Sequence, residues 1–160
     1  MRYGLLLAGD IGGTKTALAL FSPENGPRQP LAEATFPSGD YETLEAIVAE
    51  FLQGRQAAVR RAVFGIAGPV QDGYAHLTNL TWRVSEGNLM AALDGAPVTL
   101  YNDLEATGHA IPFLQAQDIE TLQLGQARRR GAIALVAPGT GLGEGFLVWT
   151  GARYQPCASE

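Results

Sequence analysis

Two adjacent glycines lie between a carboxylate and a hydroxyl at Asp10-Ile11-Gly12-Gly13-Thr14, followed by Lys15 and Thr16. Glycines without a Cβ let backbone N–H groups converge on an anion, and the Thr14 hydroxyl adds another donor. Asp10 suits a magnesium ion held through water, because Mg2+ takes few carboxylates and keeps much of its hydration. The same residues would also make a tight hairpin whose glycines serve only positive backbone angles. A second glycine segment, Ala137-Pro138-Gly139-Thr140-Gly141-Leu142-Gly143, repeats the pattern. Alone it reads equally as a bulge or a close packing site. Together the segments point to a nucleoside triphosphate gripped from two sides, with Asp10, Gly12, Gly13, Thr14, Gly139, Thr140 and Gly141 on the phosphate side. Between them in sequence, Asn102-Asp103 ends an apolar run. A carboxylate there suits a general base that takes a hydroxyl proton, and equally a helix N-cap; one residue can do both.

Neither glycine segment is a Walker A loop, which needs Gly directly before Lys, and G-x-G-x-x-G is absent. No G-x-S-x-G elbow supports a serine hydrolase. His76 and His109 lack partners at ligand spacing and read as structural or surface residues. Asn79 fits an Asx-turn before Leu80-Thr81-Trp82, with Trp82 as core. Lys15 lies where a strand would turn it to solvent, and Glu144 receives no role.

The elements that must position these residues follow from periodicity and punctuation. Apolar runs predict strands over residues 3–9, 16–21 and 31–36, the last two separated by Pro23, Asn25, Gly26, Pro27 and Pro30, which gives an antiparallel meander. Leu44, Ile47, Val48, Phe51 and Leu52 have helical spacing, with Asp40 as the expected N-cap and Gly54 closing the helix. A strand over 59–66 leads to a hairpin at Asp72-Gly73 and a strand at 74–77. Ser85 is the expected cap of a second helix to Leu93, residues 98–101 form a strand, and Asp103 opens a third helix. Strand, glycine turn, strand then recurs over 132–137 and 145–150. Two copies of one unit suggest two related lobes, each offering a loop to a shared cleft: residues 1–110 as one, and 111–160 as the start of the second. The sequence reads as truncated inside that second lobe.

Composition narrows the function classes. At 160 residues and 46% hydrophobic, the chain has enough apolar side chains to bury a core. The net charge of −5 argues against a nucleic-acid partner, and Arg128-Arg129-Arg130 reads as a solvated loop. A single cysteine, Cys157, excludes an internal disulfide framework and a Cys-based zinc finger. No apolar run is long enough for a membrane helix. A cytoplasmic protein is expected.

In order along the chain, G-D-I-G-G-T-K-T, G-I-A-G-P-V, L-T-N-L-T-W, Y-N-D-L, A-P-G-T-G-L-G and P-C-A-S-E resemble the bacterial glucokinase family of the actin–hexokinase superfamily. The resemblance runs from Gly9 to Glu160, and L-T-N-L-T-W with P-C-A-S-E favours this branch over the broader ROK group. It implies an α/β fold: a ribonuclease H-like (actin-like ATPase) domain with a mixed sheet and flanking helices, plus the start of a similar lobe. It implies ATP-dependent phosphorylation of glucose to glucose 6-phosphate, with ATP and Mg2+. By matching positions, it makes Asp103 the catalytic base and places Asn79, Asn102, Asp103, Gly141 and Glu160 at the sugar. The family's continuation beyond Ser-Glu, Gly-Gly-His and a later glutamate, falls outside these residues, as does the adenosine-binding segment. Activity of the 160 residues alone is therefore not expected.

The alternatives are a kinase of another hexose, a non-catalytic sugar sensor of the same fold, and an actin-like assembly protein. A sugar-responsive repressor needs a DNA-binding helix pair ahead of the first loop, and here that loop begins at residue 10. Asn102-Asp103 and the 77–82 segment argue against the assembly protein. A homodimer is left open.

Overall fold

The computed structural model describes residues 4–55, 57–77, 80–126, 128–138 and 142–158. The chain divides into two compact units, Met1–Asp103 and Leu104–Glu160.

In the first unit, β1 (Leu5–Ile11), β2 (Lys15–Phe21) and β3 (Ala32–Pro37) form the expected antiparallel meander. After a 3-10 turn at Ser38–Asp40 comes α1 (Leu44–Leu52), then β4 (Val59–Ile66). A small sheet follows, made of β5 (Val70–Gln71), β6 (Tyr74–His76) and β7 (Arg83–Ser85), and then α2 (Glu86–Ala92) and β8 (Val98–Asn102). The main sheet has the order β3-β2-β1-β4-β8, antiparallel through the meander and parallel from β1 to β4 to β8. It is a mixed sheet, as the resemblance implies.

The core lies on one face of this sheet. Leu7 and Ile11 of β1, Leu18 and Leu20 of β2, Phe64 and Ile66 of β4 and Leu100 of β8 are buried with Leu44, Ile47, Val48 and Phe51 of α1 and Leu89 of α2. Alternation along each strand turns these side chains to one side, and burial of each large side chain is worth about 1.5–3 kcal/mol. Trp82 is buried as expected, and its Nε1 donates to the Tyr41 carbonyl at 3.0 Å.

Local signals explain the joins. Asp72 and Gly73 have φ of 52° and 75°, the paired left-handed angles of a two-residue hairpin turn. Ser85 caps α2 by accepting from Asn88 N at 3.1 Å. The cap of α1 is Thr43, which accepts from Ala46 N at 3.2 Å, and not Asp40. Asp40 is instead held in the 3-10 turn that follows β3.

In the second unit, α3 (Asp103–Ala110), which begins at the unit boundary, is followed by 3-10 turns at Ile111–Phe113 and Ala116–Asp118. Then β9 (Ile133–Pro138), β10 (Leu142–Trp149) and β11 (Tyr154–Ala158) form an antiparallel sheet in the order β11-β10-β9. Gly108 and Gly143 allow α3 to approach it closely: a Cβ on Gly108 would lie 2.9 Å from Pro156 Cβ, and one on Gly143 would lie 2.7 Å from Leu104 Cδ1. This meander repeats the first one in outline, three antiparallel strands in chain order. None of the described helices is long and apolar enough to cross a membrane.

Candidate active site

The C-terminal ends of three neighbouring parallel strands gather the described site residues of the first unit. Ile11 of β1 is in register with Ile66 of β4, and Ile66 with Asn102 of β8. The Gly12-Gly13-Thr14 loop leaves β1 at this edge, and Asn102-Asp103 leaves β8 at the same level. With one strand between them, the two lie two interstrand spacings apart, about 10 Å.

That separation suits phosphoryl transfer. A carboxylate about 3 Å from a hydroxyl, that oxygen about 3 Å from phosphorus, and a hydrogen bond of about 2.9 Å from a backbone N–H to a phosphate oxygen fit such a span. Asp103 is exposed at the start of α3, and Asn102 is half-buried before it. Asn102 Nδ2 donates to the Gly68 carbonyl at 3.0 Å, tying the end of β8 to the Gly68-Pro69 turn after β4. The turn in turn is tied to β1, because Ala67 N donates to the Ile11 carbonyl at 2.9 Å. The three strand ends are thus cross-linked by hydrogen bonds as well as by the sheet.

Asp10 is exposed on the sheet face opposite α1, in register with Ala17 and Gly65. Its small neighbours leave space around the carboxylate. Among the described residues no three His, Cys, Asp or Glu side chains gather as a metal cluster. A lone carboxylate of this kind fits Mg2+, which is commonly held by one or two carboxylates, waters and substrate phosphates.

The first loop is not a positive-φ hairpin at Gly12, whose φ lies outside the left-handed region. What Gly12 needs is space: a Cβ would lie 3.1 Å from the Lys15 carbonyl oxygen, the same oxygen that accepts from Gly12 N at 3.0 Å. Lys15 and Thr14 are exposed. Ser38, to which sequence reasoning gave no part, donates from Oγ to the Gly12 carbonyl at 2.8 Å. Its only sequence signal is a Ser-Gly pair after a strand, which reads as a turn. Asn79, Gly139, Thr140, Gly141 and Glu160 lie outside the described residues.

Residues 7–160 match the family model described as Glucokinase. The chain belongs to the glucokinase family. It is 42% identical over 159 residues to the glucokinase of Trichormus variabilis, covering 98% of this chain and 46% of that relative. It is similar in structure to a glucokinase from an Antarctic psychrotroph, with a TM-score of 0.85 and 31% identity over 99% of this chain and 51% of the other. A ROK family glucokinase from Streptomyces griseus, solved with glucose and AMPPNP, shares the fold at a TM-score of 0.61 and 24% identity, covering 97% of this chain and 49% of that one. The chain thus spans about half the length of the glucokinases it matches. The mixed sheet with flanking helices is that of sugar kinases with the actin-like ATPase fold.

Proposed function

We propose that this chain supplies the catalytic base and part of the sugar and phosphate sites of an ATP-dependent glucokinase. The observation that carries the reading is the alignment of the β1 loop and Asn102-Asp103 at one sheet edge, two strands apart. Asp103 takes the proton of a glucose hydroxyl as that oxygen attacks the γ-phosphorus. The new O–P bond forms while the bond to the β-phosphate oxygen breaks, and ADP leaves. Base catalysis of this kind contributes about 10²–10⁴-fold. Gly12 opens the loop at the phosphates, and the backbone donors of Gly13 and Thr14 offset charge on them, the term on which phosphoryl transfer chiefly depends. Gly139, Thr140 and Gly141 are proposed as a second set of phosphate contacts. Asn79, Asn102, Gly141 and Glu160 are proposed to bind the sugar. Asp10 would hold Mg2+ through water, and the ion would supply charge neutralisation.

Support comes from the family membership and from the glucose- and AMPPNP-bound structural neighbour. Turnover is proposed for a polypeptide that joins these residues to the counterpart of the relatives' remaining half, acting in the cytoplasm. The test is a coupled assay for glucose 6-phosphate with glucose, ATP and Mg2+ on that polypeptide, beside the 160 residues alone. Formation of glucose 6-phosphate supports the reading; phosphorylation of a different hexose only would move the specificity, and no hexose phosphorylated would sink it.

A further inference from the structure

Ser38 and Thr16 are fully buried hydroxyls beneath the first glycine loop. Burying a polar group carries a cost unless it is hydrogen-bonded, and these two are bonded to each other and to the loop. Ser38 Oγ donates to the Gly12 carbonyl at 2.8 Å and lies 3.0 Å from Thr16 Oγ1. A serine hydroxyl has one proton to give. With that proton on Gly12, Thr16 must be the donor within the pair, so its hydroxyl fixes which way the Ser38 proton points. Ser38 also donates its backbone N–H to the Thr14 carbonyl at 3.0 Å. One residue therefore holds two of the loop's carbonyls.

We propose that Ser38, backed by Thr16, is a positioning residue that turns the Gly13 N–H toward the nucleotide phosphates, an inference that rests on the kinase reading above. In a planar trans peptide the C=O and the following N–H point in opposite directions. Drawing the Gly12 carbonyl to Ser38 therefore turns the Gly13 N–H away from it. The Gly12 N–H is already spent on the Lys15 carbonyl at 3.0 Å. Holding the Gly12 and Thr14 carbonyls on the Ser38 side also keeps their partial negative charge from facing an anion. An apolar pair could have filled the same buried space and fastened β3 to β2, but could not have oriented a peptide.

The test is 15N NMR of the longer polypeptide for which turnover is proposed, titrated with ATP and following the Gly13 amide, together with thermal melts. Ser38→Ala should raise the Kd for ATP about two- to tenfold, the range of one net hydrogen bond. Ser38→Cys, with a weaker donor in similar space, should do the same and covers poor folding of the alanine variant. Thr16→Ser keeps both hydroxyls and removes a buried methyl, so it should lower the melting temperature yet leave the ATP Kd unchanged. An unchanged Kd in both Ser38 variants, or losses of affinity that simply follow melting temperature across all three, would overturn the inference while leaving the kinase reading intact. If ATP leaves the amides of this loop unshifted in the wild-type polypeptide, the phosphate role of the loop fails and the inference with it; the coupled assay then decides the kinase reading separately.

Discussion

Replacing Gly68 by alanine would place a Cβ 2.5 Å from the His76 carbonyl oxygen. Real Cβ atoms do not approach a backbone oxygen that closely, and the obstacle is main chain rather than the end of a flexible side chain. Either the Gly68-Pro69 turn or β6 must move. Overpacking of this kind costs about 1–3 kcal/mol. The same movement strains the 3.0 Å bond from Asn102 Nδ2 to the Gly68 carbonyl, worth about another 0.5–1.5 kcal/mol. A total of about 2 kcal/mol or more, in a unit of this size, lowers the melting temperature by roughly 8 °C or more. Thermal melts followed by circular dichroism measure it, and the Asn102 side-chain amide resonance reports whether the tie is lost. In an active polypeptide the same variant should raise KM for glucose more than KM for ATP. A melt within about 2 °C of wild type, with the Asn102 amide unshifted, would refute the packing argument.

Other substitutions probe the scaffold around the site. Ser85→Ala removes the cap of α2 and should cost about 1 kcal/mol in denaturant unfolding. Gly87→Ala should raise stability by up to about 0.5–1 kcal/mol in the same assay, since Gly87 is helical and a Cβ there meets nothing within 4 Å. Trp82→Phe strands the Tyr41 carbonyl and leaves a gap at a buried position, and should cost about 2 kcal/mol in denaturant unfolding.

What the sequence made legible follows the range of the forces involved. The meander, α1, the Asp72-Gly73 hairpin and the Ser85 cap are local: each is decided by residues within a few positions. The sequence points to Asp40 as the α1 cap because a carboxylate near a helix start reads as a cap wherever it stands. In the fold, the Ser38 N–H pairs with Thr14, holding the 38–40 segment in its own turn and leaving Thr43 to cap. The strand β7 has only three residues and shows too little alternation to be read. The strand β11 carries Pro156, which argues against a central strand, and it is indeed an edge strand. The strand β10 starts at Leu142, three residues before the expected 145, because the glycines there read as loop while Gly143 and Gly145 are in fact strand positions paired with Ala137 and Leu135. At the site, Asn102-Asp103 and the first loop were visible as motifs. Ser38 was not, because its partner Gly12 lies 26 positions away.

The central claim, that Asp103 is the base at this sheet edge, is tested most directly by Asp103→Asn in the polypeptide active in the coupled assay. The substitution keeps the size and one acceptor oxygen, replaces the other with an NH2 donor, and cannot take the proton. The account predicts a fall in kcat of about 10²–10⁴-fold, with an unchanged melting temperature and glucose binding, followed by tryptophan fluorescence, retained. Turnover within about threefold of wild type would contradict it.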